Sequence, residues 1–360
     1  MHRRQAPFRR DQRGDRRASA CPGPARDRHR ARPRQGVRGV VTRRNPAVVA
    51  LGGGHGLSAS LSALRLMSDR LTAVVTVADD GGSSGRLRAE LGVLPPGDLR
   101  MALAALCDDS EWGRTWSALL QHRFTSEGDL DNHAVGNLLI VALWELLDDP
   151  VAGLDWVGKL LGARGRVLPM AAVPLGIEAD VRTGDRLETV VGQSHVAVTH
   201  GRIEQLRLVP ADPPACAEAV QAVEEADWVV LGPGSWFSSV MPHLLVPELA
   251  RALHETSARR CVTLNLSSET GETYGLSATD HLEALHKHAP GLRIDAVVAD
   301  PSAVEDTEQL AEAAARMGAR LLLRQVRRGD GTPRHDALRL AAAYRDVFDD
   351  FLGDVGSPTR

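Results

Sequence analysis

The chain has 360 residues, of which 43% are hydrophobic and 25% are charged, and its formal net charge is −3 at pH 7. This is an ordinary globular composition, and the length allows a substantial buried core. No segment approaches the roughly 20 consecutive apolar residues that cross a bilayer, so we expect no membrane span. The N-terminus lacks the apolar stretch of a secretory signal, and the four cysteines form no C-x-x-C pair. We therefore expect a reduced, cytoplasmic protein without structural zinc.

The charge is unevenly distributed along the chain. Residues 1–44 contain 15 Arg and 3 Asp, a local balance of +12, whereas the remainder carries −15. Residues 1–45 are rich in Arg, Pro and Gly without apolar periodicity, so we expect a disordered extension. A basic arm for nucleic acid or anionic lipid is the alternative interpretation. The acidic remainder has no charge footprint for nucleic acid, and we expect no such partner for it.

A glycine-rich loop follows the first predicted strand. The run Ala47–Leu51 is short and apolar, four glycines occur within the next five residues, and an apolar helical pattern follows. Such a strand–loop–helix unit directs backbone N–H groups and the positive end of a helix at one place, where an anion can bind. The run matches neither G-x-G-x-x-G nor the Walker loop, so a close-packed turn without ligand is the alternative. The candidate ligand-binding residues are Gly52, Gly53, Gly54, His55, Gly56 and Leu57.

A second loop of this kind follows the predicted strand Leu71–Val77. It brings two carboxylates, glycines, hydroxyls and arginines to a strand end, which is where open α/β sheets bind ligands. Asp79 and Asp80 are candidates to hold Mg²⁺, or to act as catalytic residues if the protein is an enzyme. A turn followed by a Ser-capped helix is the alternative. The candidate ligand-binding residues are Gly81, Gly82, Ser83, Ser84 and Arg86.

Further polar clusters accompany helix starts and strand ends. Asp98 is predicted to be the N-cap of the helix Leu99–Leu106. A polar stretch opens the strongly apolar helix Leu138–Leu147, and another glycine–hydroxyl loop follows the strand Asp227–Leu231. Their candidate ligand-binding residues are His133, Asn137, Gly232, Gly234 and Ser235.

Helices and strands alternate through most of the chain, which predicts an α/β, Rossmann-like fold with a mostly parallel sheet flanked by helices. We expect one domain over 46–345, followed by a C-terminal tail over 346–360. Residues 165–210 differ, because their short segments alternate or are broken by Gly and Pro, and they predict a small antiparallel β insertion. Its expected strands are Arg166–Met170, Ile177–Val181, His195–Val198 and Ile203–Val209.

No catalytic nucleophile is marked by a motif. The chain has no Gly-x-Ser-x-Gly elbow and no His-Glu-x-x-His. Backbone loops, carboxylates and hydroxyls are suited to holding a phosphorylated ligand, and to phosphoryl-type transfer. The sequence leaves open whether the chain forms a homo-oligomer.

The ordered set of motifs resembles the gluconeogenesis factor family (YvcK-like proteins), which is similar in fold to the 2-phospho-L-lactate transferases (CofD-like). The matching segments are Gly52–Ser58, Thr76–Arg88, Pro95–Arg100, His133 with Gly136-Asn137, Gly232–Ser235, and Gly271–Thr273 with Asp280-His281.

The resemblance implies a cytoplasmic protein with a Rossmann-like core, needed for growth on gluconeogenic carbon sources and for normal cell shape. It implies a nucleotide-sugar ligand of the UDP-N-acetylglucosamine type. The glycine loops would hold the diphosphate, and Asp79 and Asp80 would lie beside Mg²⁺ or the reacting phosphate. The alternative that the resemblance implies is a transferase, which moves phospholactate from a nucleotide diphosphate donor to a deazaflavin.

Two positions depart from the family pattern. Asn132 replaces the glycine that usually precedes the histidine, which would reshape that loop. Leu276 lies three positions after Gly271–Thr273, where an aromatic residue is frequent, and Tyr274 lies two positions earlier. If the aromatic side chain stacks on a base, its absence weakens nucleotide affinity.

Overall fold

The computed structural model describes residues 45–267 and 271–349. Its strands are β1 (Val48–Gly52), β2 (Leu71–Val75), β3 (Arg166–Pro169), β4 (Gly176–Thr183), β5 (Arg186–Val191), β6 (Arg202–Val209), β7 (Trp228–Leu231), β8 (Arg259–Thr263), β9 (Ala296–Ala299) and β10 (Arg320–Leu323). Seven of them form one parallel sheet in the order β10-β9-β8-β7-β1-β2-β3. The expected α/β fold with a parallel sheet is confirmed.

Helices connect the strands and flank the sheet. They are α1 (Gly54–Leu64), α2 (Gly82–Leu91), α3 (Gly97–Leu106), α4 (Glu111–Gln121), α5 (Val135–Leu147), α6 (Pro150–Leu161), α7 (Gln193–Val196), α8 (Ala217–Glu224), α9 (Pro247–Glu255), α10 (Ala278–His288), α11 (Thr307–Arg316) and α12 (Ala337–Phe348). Within the described ranges, none of them is long and apolar enough to cross a membrane.

The sheet is the centre of the core. Every residue of β1, β7 and β9 is buried, as expected for parallel strands covered by helices on both faces. The apolar and β-branched composition that predicted these strands is what lets them pack on both sides.

The strand order reverses at the middle of the sheet. From β1 the chain moves outward through β2 to β3, and it later returns to β7 on the other side of β1 and moves outward to β10. A crevice therefore opens at the carboxyl ends of β1 and β7, which is where doubly wound sheets bind ligands. The glycine loops after β1 and β7 both begin at this crevice.

The small antiparallel sheet has the order β5-β4-β6. Two of its expected strands are confirmed, since Ile177–Val181 lies in β4 and Ile203–Val209 in β6. Two other expectations are wrong. Residues 166–169 form β3, which pairs in parallel with β2 at the edge of the main sheet. His195 and Val196 lie in the short helix α7.

The C-terminal boundary of the domain lies close to the predicted one. The terminal helix α12 continues to Phe348, three residues past the predicted domain end at 345. The predicted N-terminal extension and the last part of the predicted C-terminal tail lie outside the described residues.

Candidate functional site

Two helices at the carboxyl edge of the sheet begin without a side-chain cap. Gly53 precedes α1 and Gly81 precedes α2, and neither helix has an acidic residue in its first turn. Five other helices are capped by a Ser or Asp side chain that accepts a backbone N–H, namely α4, α6, α10, α11 and α12. The starts of α1 and α2 therefore bring two positive helix ends to adjacent strands, an arrangement that attracts an anion, and at α1 the Asp98 carboxylate already takes the Gly54 N–H.

The start of α3 lies between these two loops and joins them. The Gly97 N–H donates to Ser84 Oγ at 2.9 Å. The Asp98 carboxylate accepts the N–H of Gly54. The prediction that Asp98 caps its own helix is wrong, because Pro96 is the N-cap and Asp98 is already the second helical residue. Its side chain is therefore directed at the β1 loop instead of its own helix.

Asp98 and Asp79 form an acidic pair across the site. Burial raises the pKa of Asp98 to about 7, and the negative charge of Asp79 adds to this shift. Burial also raises the pKa of Asp79, although its hydrogen bonds with Gly81 and Ser84 oppose the shift. The negative charge of Asp80 also raises the pKa of Asp79. A buried carboxylate beside a second one favours a proton or a cation at this place.

Asp80 faces a different element from its neighbour. Asp79 Oδ1 accepts the Gly81 N–H at 3.0 Å, whereas Asp80 Oδ1 accepts the Ser194 N–H at 2.9 Å. Ser194 belongs to α7, so Asp80 fastens the antiparallel insertion to the site. Across residues 45–267 and 271–349, no group of three or more His, Cys, Asp or Glu side chains is placed to hold a metal ion. A metal here would need oxygen ligands from a bound molecule.

The loops after β1 and β7 touch at the crevice. A β-carbon built on Gly56 would lie 2.2 Å from the carbonyl oxygen of Pro233, so only glycine allows this approach. Asn265 holds the second loop, since its side chain accepts the Gly234 N–H at 2.9 Å and donates to the Gly234 oxygen at 2.8 Å. Gly232 is buried in this loop and Ser235 is exposed.

The donors that follow the β7 loop are used within the protein. Glu272 Oε1 accepts the N–H of Phe237 at 2.8 Å and that of Ser238 at 3.4 Å. The Gly232–Ser235 loop thus contributes shape to the crevice, while the N–H groups beyond it are already paired. This distinguishes it from the uncapped starts of α1 and α2.

Leu57 is a core residue. Its side chain is 1% exposed and its N–H donates to the Gly53 oxygen at 3.2 Å, so it offers a ligand no free polar group. Its side chain therefore packs in the core beside the loop. His55, by contrast, is exposed on the first turn of α1, and Gly52 ends β1.

Ser83, His133 and Asn137 form one buried network between α2 and α5. Ser83 Oγ accepts the amide of Asn137 at 3.0 Å and the Ala134 N–H at 3.3 Å. With both acceptor positions filled, its proton goes to His133 Nδ1 at 3.0 Å. His133 is then neutral with its proton on Nε2. Burial lowers its pKa, in agreement with this state.

Arg100 extends the network, because its Nε donates to Asn137 Oδ1 at 2.9 Å. Each side chain of this network has a hydrogen-bond partner within the protein. The network therefore serves to position the helix starts around the site. Arg86 is committed in a similar way, since it donates to the carbonyl oxygens of Asp129 and Asp131 at 3.1 and 2.5 Å. It holds the loop before His133.

Asn132 has a left-handed backbone conformation. Its φ is +59°, in the region where Asn is tolerated far better than most side chains. Glycine also adopts this conformation readily, so the position suits either residue.

A cavity of about 410 Å³ lies beside the β7 loop, and Asn265, Leu276, His281 and Arg327 are among its lining residues. Leu276 therefore occupies a cavity wall, at the position where the family pattern expects an aromatic side chain. Tyr274 lines a second cavity beside α10. The sequence does not mark Arg327, because no local pattern identifies a residue whose neighbours come from distant loops.

Comparisons with known proteins agree with the fold. The family model described as 2-phospho-L-lactate transferase CofD matches residues 48–325. A solved structure of a UPF0052 family member from Bacillus halodurans superposes with a TM-score of 0.75 and 32% identity, covering 83% of this chain and 98% of that one.

Relatives with related names are similar over most of their length. A gluconeogenesis factor from Halalkalibacterium halodurans is 38% identical over 260 residues, covering 72% of this chain and 79% of the relative. A Mycobacterium tuberculosis protein named "putative gluconeogenesis factor" is 54% identical over 317 residues, covering 86% of this chain and 92% of the relative. The chain belongs to the 2-phospho-L-lactate transferase CofD family and groups with its members named gluconeogenesis factor.

Proposed function

We propose that the chain is a cytoplasmic gluconeogenesis factor that binds a nucleotide sugar of the UDP-N-acetylglucosamine type. In this proposal it supports growth on gluconeogenic carbon sources and normal cell shape by sensing that ligand. The observation that carries the proposal is the pair of uncapped helix starts, α1 and α2, at the carboxyl edge of adjacent strands. Two adjacent anion positions suit a diphosphate.

The acidic pair suits a divalent cation at the same place. Mg²⁺ in phosphate sites is bound by one or two carboxylates together with phosphate oxygens and water. Asp79 and Asp98 provide two carboxylates whose pKa values burial raises, and repulsion by Asp79 adds to the shift at Asp98. Mg²⁺ held by them would neutralise the diphosphate and remove that repulsion. Asp80 would act by holding α7 over the site.

The cavity beside Gly234 suits the remainder of the ligand. It has the volume of a small-molecule site and combines an amide, a guanidinium and an imidazole with an aliphatic wall. His281 is 4% exposed, and its Nε2 has no hydrogen-bond partner among the described residues. Its Nδ1 donates to the Ser277 oxygen, and Nε2 is an unpaired acceptor that is buried from the cavity surface.

Calorimetry and thermal-shift measurements test this proposal. The panel is UDP-N-acetylglucosamine, UDP-glucose, GDP and GTP, each with and without Mg²⁺, on the wild type and on Asp79→Asn. We expect UDP-sugar binding without turnover and a loss of its Mg²⁺ dependence in the variant. No binding of any of these nucleotides would refute the proposal.

The family match favours one second candidate, a transferase that moves a phospholactate-type group from a nucleotide diphosphate donor to a deazaflavin. It requires the same diphosphate site, and Asp98 would then serve as a proton acceptor for the attacking hydroxyl. Product formation from a guanine-nucleotide donor and a deazaflavin would favour this candidate over the sensor.

A further inference from the structure

A chain of three buried hydroxyl groups ends at the β7 loop. Ser60 Oγ donates to the Gly232 carbonyl oxygen at 2.8 Å and lies 2.8 Å from the hydroxyl oxygen of Tyr344. That hydroxyl oxygen lies 3.0 Å from Thr263 Oγ1. The three side chains come from α1, α12 and β8, and all are fully buried. Elements that are distant in the sequence therefore converge on one backbone carbonyl.

The direction of these hydrogen bonds follows from the number of protons. A hydroxyl group has one proton, and Ser60 uses its own on the Gly232 oxygen. Ser60 Oγ therefore accepts the proton of Tyr344, and Tyr344 in turn accepts that of Thr263. Burial raises the pKa of Tyr344, so its hydroxyl stays protonated and keeps its role as the donor to Ser60.

Aromatic packing holds the ring of Tyr344 in place. The ring stacks on Phe348 with centroids 6.1 Å apart, and Phe348 stacks on Trp228 at 4.6 Å. Trp228 is the first residue of β7, so α12 packs on the strand that leads into the loop. Phenylalanine at position 344 would keep this stacking. A buried hydroxyl costs free energy unless it is hydrogen-bonded, and here its bonds lead to Gly232.

Gly232 lies where the loops after β1 and β7 meet. Its N–H donates to the Leu51 oxygen of β1 at 3.2 Å, and its carbonyl accepts from Ser60 of α1. Both of its backbone polar groups are thus bonded to the β1–α1 unit. Ser60 is about one turn after Gly56, the residue that approaches Pro233 most closely. The bond from Ser60 therefore holds the β7 loop against the first turn of α1.

We propose that Tyr344 is a positioning residue for the ligand crevice. Through Ser60, its hydroxyl fixes the distance between the β7 loop and the start of α1, and this distance sets the affinity for the phosphorylated ligand. Tyr344 is fully buried, so it acts through Ser60 and not by touching the ligand. The proposal rests on the proposed function for the identity of the ligand, whereas the loop geometry can be measured without any ligand.

Titration calorimetry with UDP-N-acetylglucosamine and Mg²⁺ tests the effect on affinity. The proteins are the full chain, Tyr344→Phe, Ser60→Ala and the double variant. Tyr344→Phe keeps the ring and removes only the hydroxyl. The control is Thr256→Ala, which removes another buried hydroxyl, one that joins α9 to α8 by donating to the Val223 oxygen at 2.9 Å. Thermal melts measure the stability of each protein.

We expect Tyr344→Phe to weaken binding about tenfold, and Ser60→Ala to weaken it at least as much. The double variant should bind no more weakly than Ser60→Ala, because both hydroxyls act through the same carbonyl. Thr256→Ala should lower the melting temperature and leave the affinity unchanged.

Nitrogen–proton NMR of the ligand-free protein measures the loop itself. The amide signals of Gly232 and Gly234 should shift in Tyr344→Phe and in Ser60→Ala, and they should keep their positions in Thr256→Ala. If the wild type does not bind UDP-N-acetylglucosamine, the proposed function is wrong. The glycine signals then decide the positioning role, which unchanged signals in Tyr344→Phe would overturn.

Two calorimetric results would also overturn the proposal. One is equal affinity of Tyr344→Phe and the wild type. The other is an equal loss of affinity in Thr256→Ala, which would attribute the effect to general destabilisation. A double variant that binds much more weakly than Ser60→Ala would contradict the route through Ser60.

Discussion

The carboxylate of Asp98 fills the space that a side chain at Gly53 would need. A β-carbon built on Gly53 would lie 2.3 Å from Asp98 Oδ2 and 2.6 Å from Thr76 Cγ2. The glycine is therefore required by the packing of α3 against the β1 loop. This contact brings the acidic pair next to the start of α1, and it explains why the glycine precedes the helix.

Gly53→Ala should lower the free energy of unfolding by about 1–3 kcal/mol, because two neighbouring groups must move to accommodate one methyl group. Gly128→Ala is the matched control, since nothing lies within 4 Å of a β-carbon there, and we expect a change of about 0.5 kcal/mol or less. Chemical denaturation measures both. Equal effects of the two substitutions would contradict the packing role.

Ser83→Ala should cost about 1–3 kcal/mol, because it leaves the buried groups of His133 and Asn137 without their shared partner. Ser62→Ala is the control, since that hydroxyl only donates to the Ser58 oxygen one turn earlier. Nitrogen NMR of His133 gives an independent measurement. A proton on Nδ1 instead of Nε2 would disprove the network as described.

Asp98→Asn should become more stable relative to the wild type as the pH rises. The folded pKa of about 7 lies above the unfolded value of 3.8, so the protonated carboxyl stabilises the fold at low pH and this stability is lost as the pH rises through 7. The Asn side chain does not ionise. We expect the difference between pH 5 and pH 8 to be on the order of 2 kcal/mol, measured by denaturation at both pH values. A difference that is independent of pH would show that Asp98 is ionised throughout.

In the presence of UDP-N-acetylglucosamine, Mg²⁺ should raise the melting temperature of the wild type more at pH 8 than at pH 5, because protons compete for the carboxylates of Asp79 and Asp98. Asp79→Asn and Asp98→Asn should both remove this effect. Asp80→Asn is the informative comparison, since its carboxylate bonds to α7, and we expect it to keep the Mg²⁺ response. Loss of the response in Asp79→Asn and Asp80→Asn, with Asp98→Asn unaffected, would instead support the Asp79–Asp80 metal site that the sequence predicts.

Much of the framework was readable from the sequence. Apolar, β-branched runs predicted β1, β2 and β7, and the glycines after them marked the strand ends, because a buried parallel strand and a tight loop each require a distinctive composition. The antiparallel insertion was located through Ile177–Val181 and Ile203–Val209.

Other parts depended on contacts that no local pattern shows. The segment that forms β3 was assigned to the wrong sheet, since a four-residue apolar strand looks the same at a parallel edge as in a hairpin. The sequence predicts Asp98 as a helix cap, whereas its observed neighbour is Gly53, which is 45 positions earlier in the chain. The hydrogen bond that Asp80 accepts from the Ser194 N–H joins residues 114 positions apart, so no local pattern predicts it either.

The proposed nucleotide-sugar site depends on the anion position at the start of α2, and Gly81→Val tests it most directly. Gly81 has φ −98° and ψ 157°, which any residue adopts, and a β-carbon there meets only Asp79 Oδ1 at 3.5 Å and Ser194 Cβ at 4.0 Å. The fold should tolerate valine while the added methyl groups block the helix start. Titration calorimetry with UDP-N-acetylglucosamine and Mg²⁺ should show at least a tenfold loss of affinity, about 1.4 kcal/mol, with an unchanged melting temperature. Equal affinity of Gly81→Val and the wild type would contradict the proposed site.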